Sequence, residues 1–124
     1  MRIFKTRLFA KWVNKEKLSD QILWQTIEEM ERGLVDADLG GGVYKKRLAL
    51  PGRGKRGGAR TIIAYKMKEK AFFIFGYAKN ERATISMEEK KMAKTLANEL
   101  FSYSAEQLNN LVAEGKLIEV NHDG

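Results

Sequence analysis

The sequence predicts an α+β domain in which two N-terminal helices pack on a small antiparallel sheet, with further helices at the C-terminal end. Three observations predict it. Apolar residues recur at helical spacing up to Leu34, the middle of the chain switches to short runs of β-branched and aromatic residues, and two capping boxes then restart the helical period. With 124 residues, 44% of them hydrophobic and 31% charged, the chain suffices for one core and is short for separate substrate and cofactor lobes. It reads as a single domain over residues 1–120 with a frayed tail at 121–124.

Arg2-Ile3-Phe4 has the makings of a short strand. Thr6 then caps a helix that carries Leu8, Phe9, Trp12 and Val13 on one face, and Asn14 to Lys17 breaks it. Ser19 opens the second helix, with Ile22, Leu23, Ile27, Met30 and Leu34 in one stripe and Gly33 as its left-handed stop. Leu34 to Gly42, with Asp36, Asp38 and three successive glycines, is a loop by composition.

Val43 to Leu50, Thr61 to Lys66 and Phe72 to Ala78 read as an antiparallel meander. Lys68-Glu69-Lys70 makes a tight turn, whereas Gly52 to Gly58 reads as a projecting mobile loop. Ser86 with Glu89 is a capping box for a helix bearing Ala93, Leu96, Ala97, Leu100 and Phe101. Ser104 with Gln107 opens a last helix, stopped by Gly115, before a terminal strand over Leu117 to Val120.

The absence of cysteine excludes disulfide frameworks, thiolate nucleophiles and cysteine-rich zinc sites. His122, in a polar tail, reads as solvated. No apolar stretch has the length of a membrane span or a signal peptide, so the expectation is a soluble, cytoplasmic protein without a membrane partner. The charge is more informative than its total of +7. Seven of the 23 cations lie between Lys45 and Arg60, where there is no acid, and the remaining 108 residues hold equal numbers of each sign. A local stripe of this kind is the footprint of a polyanion binder, since fixed cations displace the counterions condensed on phosphates. The competing reading is a solvated connection whose charge serves solubility.

Gly52-Arg53-Gly54-Lys55-Arg56-Gly57 has the spacing of a dinucleotide fingerprint, but a strand follows it where that motif needs a helix. A Walker loop fails because Gly58 stands at the lysine position. Strand alternation puts Lys45 and Arg47 on one face and Lys46 on the other, and groups Arg60 with Ile62 and Ala64. One sheet face takes the helices, so these cations are expected to converge on an open, concave face. In a meander, Lys79-Asn80-Glu81-Arg82 comes beside the start of the Arg60 strand, unless it is an ordinary salt-bridged surface turn.

Such a cluster suits RNA cleavage by the ribose 2′-hydroxyl, which needs a base, charge stabilisation at phosphorus and an acid for the leaving 5′-oxygen. No metal or other cofactor is required in principle. Arg60 and Arg82 suit a bidentate hold on phosphate oxygens, and a lysine crowded by cations, such as Lys79, can enter proton transfer. Glu81 is either a base or an orienter of Lys79 or Arg82. Tyr65 and Tyr77 read as core, or as base-stacking residues if they lie on the open face.

The segments Ala37 to Arg47, Pro51 to Thr61 and Phe73 to Arg82 resemble the RelE-type toxins of bacterial type II toxin–antitoxin systems, in a HigB-like branch, and the likeness runs over nearly the whole chain. The resemblance implies a small α/β fold and a metal-independent endoribonuclease that cuts translated mRNA on the ribosome. It implies as partners mRNA, the ribosome and a cognate antitoxin, often a helix-turn-helix repressor. By position, Arg60 matches the family's phosphate-binding arginine, Lys79 or Arg82 the basic residue ending the next strand, and Lys55 or its neighbours the basic loop. Lys45, Lys46, Arg47, Arg53, Lys55 and Arg56 are thus the expected RNA-binding set, with Arg60, Lys79, Glu81 and Arg82 as the catalytic one. The sequence departs from the family in lacking an evident tyrosine or histidine in a short C-terminal helix. Two alternatives stay open: a ParE-like gyrase inhibitor of the same fold, and a non-catalytic RNA-binding module.

Overall fold

In a computed structural model of the chain, residues 1–51 and 54–122 are described, with backbone alone for residues 54–57. The elements run β1 (Arg2–Thr6), α1 (Arg7–Glu16), α2 (Asp20–Glu31), β2 (Ala37–Gly40), β3 (Val43–Leu50), β4 (Gly54–Lys66), β5 (Lys70–Ala78), α3 (Met87–Ser102), α4 (Ala105–Ala113) and β6 (Leu117–Glu119).

The expected arrangement of two N-terminal helices on a small antiparallel sheet is incorrect. The chain begins with a strand, and among the described residues it forms one six-stranded mixed sheet, in the order β2-β3-β4-β5-β1-β6, with four helices. β1 lies parallel to β5 and antiparallel to β6. The reason is that Ile3 and Phe4 are both fully buried and point to opposite faces, where they join different cores. A strand apolar on both sides belongs inside a sheet covered on both sides.

Two further expectations are corrected. The acidic, glycine-containing segment before Val43 is partly strand, because Ala37 to Gly40 pairs with β3 through a bulge. β4 begins at Gly54, paired with Leu50, so much of the glycine-basic segment is strand; Gly52 and Arg53 lie outside the described residues.

The helix starts are met where they were expected, although α1 runs on through Asn14 to Glu16, and Leu8 and Leu34 are exposed. The hydroxyls of Thr6, Ser19, Ser86 and Ser104 accept from the backbone N–H groups of Phe9, Ile22, Glu89 and Gln107, and the last two complete reciprocal capping boxes. Phe9 and Val13 of α1 and Leu23, Ile27 and Met30 of α2 pack with Ile3, Leu48, Ile63 and Phe73. Ala93, Ala97 and Leu100 of α3 and Leu108 of α4 pack with Phe4, Val43, Ile62, Phe72 and Phe75.

The sheet therefore has no wholly open face. Small alanines let α3 approach the strands closely, and at its C-terminal end Phe101 lies against Gly42, where an added Cβ would come within 2.6 Å of the ring. Gly42 also has φ +78°, so both shape and backbone favour glycine there.

One irregularity places the functional residues. β4 and β5 pair in a simple register from Lys66↔Lys70 to Ile63↔Phe73, and the next pair is Ile62↔Phe75. Ile74 is the extra residue of a β-bulge. From there on, the face of every β5 side chain is reversed relative to strict alternation, so Phe75 and Tyr77 face α3. The Ile74 carbonyl accepts the Thr6 hydroxyl at 2.6 Å, and that same hydroxyl caps α1. The junction of β1 and α1 thereby holds the bulge.

Candidate phosphate-binding site

The shifted register sets Arg47, Arg60 and Tyr77 directly opposite one another across β3, β4 and β5, on the face that carries α3. Opposed like charges on neighbouring strands are unfavourable. Arg47 is relieved by Asp36, which accepts from its backbone N–H and lies 3.2 Å from Nε. Arg60 is buried at 7% exposure, and no described carboxylate pairs with it. Its Nη1 donates to the Ala59 carbonyl at 3.3 Å. A guanidinium has five N–H donors, so most of this buried cation's capacity is unspent within the described residues.

After β5 the chain turns at residues 79–81, and the backbone N–H of Lys79 donates to the Gly58 carbonyl while that of Glu81 donates to Ala78. Lys79 and Glu81 are exposed. Arg82 folds back over the strand, its guanidinium 4.6 Å from the ring centre of Tyr77 and 5.7 Å from that of Phe75. Its Nη1 donates to Glu89 Oε1 at 2.8 Å. The same Glu89 oxygen accepts from the Ser86 N–H in the α3 capping box. Arg82 and these cap bonds hold the Glu89 carboxyl well below its ordinary range, at about 2.

Tyr77 is 4% exposed, and its hydroxyl makes no hydrogen bond among the described residues. Burial raises its pKa, and the nearby positive charges of Arg82 and Arg60 act against that rise. The fold thus brings Arg60, Tyr77 and Arg82 together and leaves Lys79 and Glu81 on the rim. Both tyrosines singled out in the sequence are buried, which removes them as open base-stacking platforms.

The other cations divide by face. Lys45 lies on the α3 face with Arg47, whereas Lys46 is 5% exposed on the opposite face and pairs with Glu29 of α2 at 2.7 Å. The side chains of Lys55 and Arg56, like Arg53, lie outside the described residues. His122 is on the α2 side, its ring 4.2 Å from that of Trp24, beside a cleft that includes Ser19, Asp20 and Glu28, remote from the arginines. A second cleft of about 260 Å³ between α1 and α3, lined by Leu8, Trp12, Phe75 and Met92, reaches Arg82 and Glu89.

The sequence put Arg60 and Arg82 beside one another; both act on Tyr77, a neighbour it missed. The unbroken apolar run Phe72 to Phe75 offers no alternation from which the bulge could be read. Among the described residues there is no group of three or more acidic or histidine side chains placed to hold a metal ion, and no helix is long and apolar enough to cross a membrane.

No curated protein matches the chain. The family model for the RelE toxin of the RelE/RelB toxin–antitoxin system matches residues 1–120. That match spans both helix layers and every strand of the sheet, including the row of Arg47, Arg60 and Tyr77, and the chain belongs to the RelE toxin family.

Proposed function

We propose that this toxin is a metal-independent endoribonuclease that cuts mRNA on the ribosome, with Arg60 and Arg82 holding the scissile phosphate. The observation that carries the reading is the Arg60 guanidinium, buried, opposite a second arginine and bonded, among the described residues, to a single backbone carbonyl. A cation kept there against its electrostatic cost is accounted for by an anion that arrives from outside.

In this reading the ribose 2′-oxygen attacks phosphorus and the bond to the 5′-oxygen breaks, leaving a 2′,3′-cyclic phosphate on the upstream fragment. Arg60 and Arg82 neutralise charge on the pentacoordinate phosphorus. Glu81 takes the 2′-hydroxyl proton and Lys79 supplies one to the leaving 5′-oxygen, both from the exposed turn beside the arginines. Lys45 and Arg47, with Arg53, Lys55 and Arg56, follow the RNA backbone; Lys46, engaged by Glu29, is left out. A cognate antitoxin, such as a helix-turn-helix repressor, restrains the toxin.

The test is to map mRNA 5′ ends after brief induction in cells. New ends are expected for the parent chain, and Arg60→Ala should lower cleavage by about 10²–10³-fold, the usual loss for one transition-state donor, while the protein stays folded. Unchanged cleavage by a folded Arg60→Ala protein overturns the assignment. Damaged DNA with intact mRNA selects the gyrase-directed alternative, and salt-sensitive RNA binding without cleavage selects the non-catalytic module.

A further inference from the structure

Among the described residues, Tyr77 is the one aromatic residue of the α3 face whose polar end is unsatisfied. Leaving a buried hydroxyl without a partner is unfavourable, and phenylalanine would fill the same space without that penalty. Arg60 lies opposite it across the strands and Arg82 over its ring, and guanidinium groups offer donors only; the one carboxylate that acts on it, Glu89, is bonded to Arg82 and to the Ser86 N–H. No described residue accepts from the hydroxyl, and an acceptor attracted by both arginines would be anionic.

Arg82 is meanwhile occupied by an internal anion. Glu89 holds it at 2.8 Å, and the same contact keeps the guanidinium over the Tyr77 ring. The carboxylate is ionised at neutral pH, fixed at the first turn of α3 by Ser86, and satisfies Arg82 in the way a phosphate oxygen would.

We propose that the Tyr77 hydroxyl is the third donor of a phosphate cradle whose other two donors are Arg60 and Arg82, and that Glu89 latches this cradle shut in the free protein. The inference rests on the endoribonuclease reading and extends it to the residues that grip the RNA phosphodiester. When RNA enters, Arg82 exchanges the Glu89 carboxylate for a non-bridging phosphate oxygen, and its movement off the ring exposes the hydroxyl, which donates to a second oxygen. The raised pKa of Tyr77 keeps it protonated, and therefore a donor, at neutral pH.

The experiment compares Tyr77→Phe, Tyr65→Phe, Glu89→Gln and Arg60→Ala, each in the full chain. It measures thermal melting, single-turnover cleavage of mRNA on translating ribosomes, and affinity for a 2′-O-methyl RNA oligonucleotide that lacks the nucleophile. Tyr77→Phe should melt at or above the parent's temperature and lower the cleavage rate roughly tenfold to hundredfold, as expected for loss of one donor to the reacting phosphate. Tyr65→Phe removes the same atom from the other face and should cleave like the parent. Glu89→Gln retains the capping box, since glutamine serves at that position, and should bind the 2′-O-methyl RNA several-fold more tightly.

A folded Tyr77→Phe protein with parental cleavage, while Arg60→Ala is inactive, overturns the role of Tyr77 and leaves the endoribonuclease reading standing. Weaker or unchanged RNA binding by Glu89→Gln overturns the latch. If Arg60→Ala also cleaves normally, the underlying reading fails and the cradle fails with it.

Discussion

Tyr65 and Tyr77 lie on opposite faces of the sheet, and their hydroxyls meet different charged surroundings. Tyr65 faces the α2 layer, and although its hydroxyl makes no hydrogen bond of standard geometry, the Glu31 carboxylate is close enough to add to the rise in pKa caused by burial. On that face the buried cation, Lys46, has Glu29 at 2.7 Å, and Lys5 has Asp20 at 3.2 Å. Tyr77 meets two arginines and the Glu89 carboxylate that pairs with Arg82, while Arg60 has no described carboxylate partner. The difference teaches that the excess of positive charge is a matter of placement. Acids accompany the cations on the α2 face and fall short of them beside Arg60, so one face is electrostatically closed and the other has room for an anion.

The largest effect on this contrast should come from the two neighbouring lysines. Lys46→Ala removes the cation of a largely buried pair and should destabilise the fold by about 2–3 kcal/mol, read by denaturant unfolding, with little change in RNA affinity per folded molecule. Lys45→Ala should leave stability within about 0.5 kcal/mol and lower the salt dependence of RNA binding by about one phosphate contact. The reverse pattern, with Lys46 governing binding and Lys45 stability, breaks the division between faces.

A smaller effect is expected far from the arginines. Thr6→Val deletes the α1 cap and the hydrogen bond to the bulged Ile74 carbonyl, and should cost about 2 kcal/mol. If the bulge sets the site, cleavage by the remaining folded protein should fall as well, because Tyr77 faces α3 only through that register shift. Full activity per folded molecule in Thr6→Val would show that the bulge holds without Thr6.

The smallest effect is acid sensitivity at Glu89. A carboxyl lowered to about 2 in the folded chain, from an ordinary value of 4.5, contributes stability that is complete above about pH 4.5 and disappears as the pH falls towards 2. Both partners are about a third exposed, so the contribution should stay below about 1 kcal/mol. Melting of the parent and of Glu89→Gln should therefore differ most at neutral pH and converge near pH 2. A difference that grows with acidity contradicts the assignment of Glu89 as an ionised partner of Arg82.

Much of this protein is legible locally. Thr6, Ser19, Ser86 and Ser104 announce helix starts because a cap acts within three residues of itself, and Gly33 and Gly115 adopt the left-handed backbone that ends their helices. The division of Lys45 and Arg47 from Lys46 follows from the two-residue period of a strand, and the register bears it out. β1 was legible as a short strand but its place in the sheet was not, since its partners are distant in sequence: Phe4 pairs with Phe72 and Glu119, and β2 was read as a loop. The closure of both sheet faces was missed for a related reason, since apolar stripes on four helices do not state which side of a sheet each one covers.

The sequence by itself determined where the positive charge is concentrated, which segments are helical, and that Arg82 follows the strand beside the one carrying Arg60. Tertiary structure decided which side chains stand between them. A single inserted residue, Ile74, shifts the register by one and turns Tyr77 from the α1 face to the α3 face, where Arg60 lies opposite and Arg82 covers its ring. A two-residue alternation carries no information about such an insertion when four apolar residues run together. The bulge is fixed instead by a hydrogen bond from Thr6, 68 residues away along the chain.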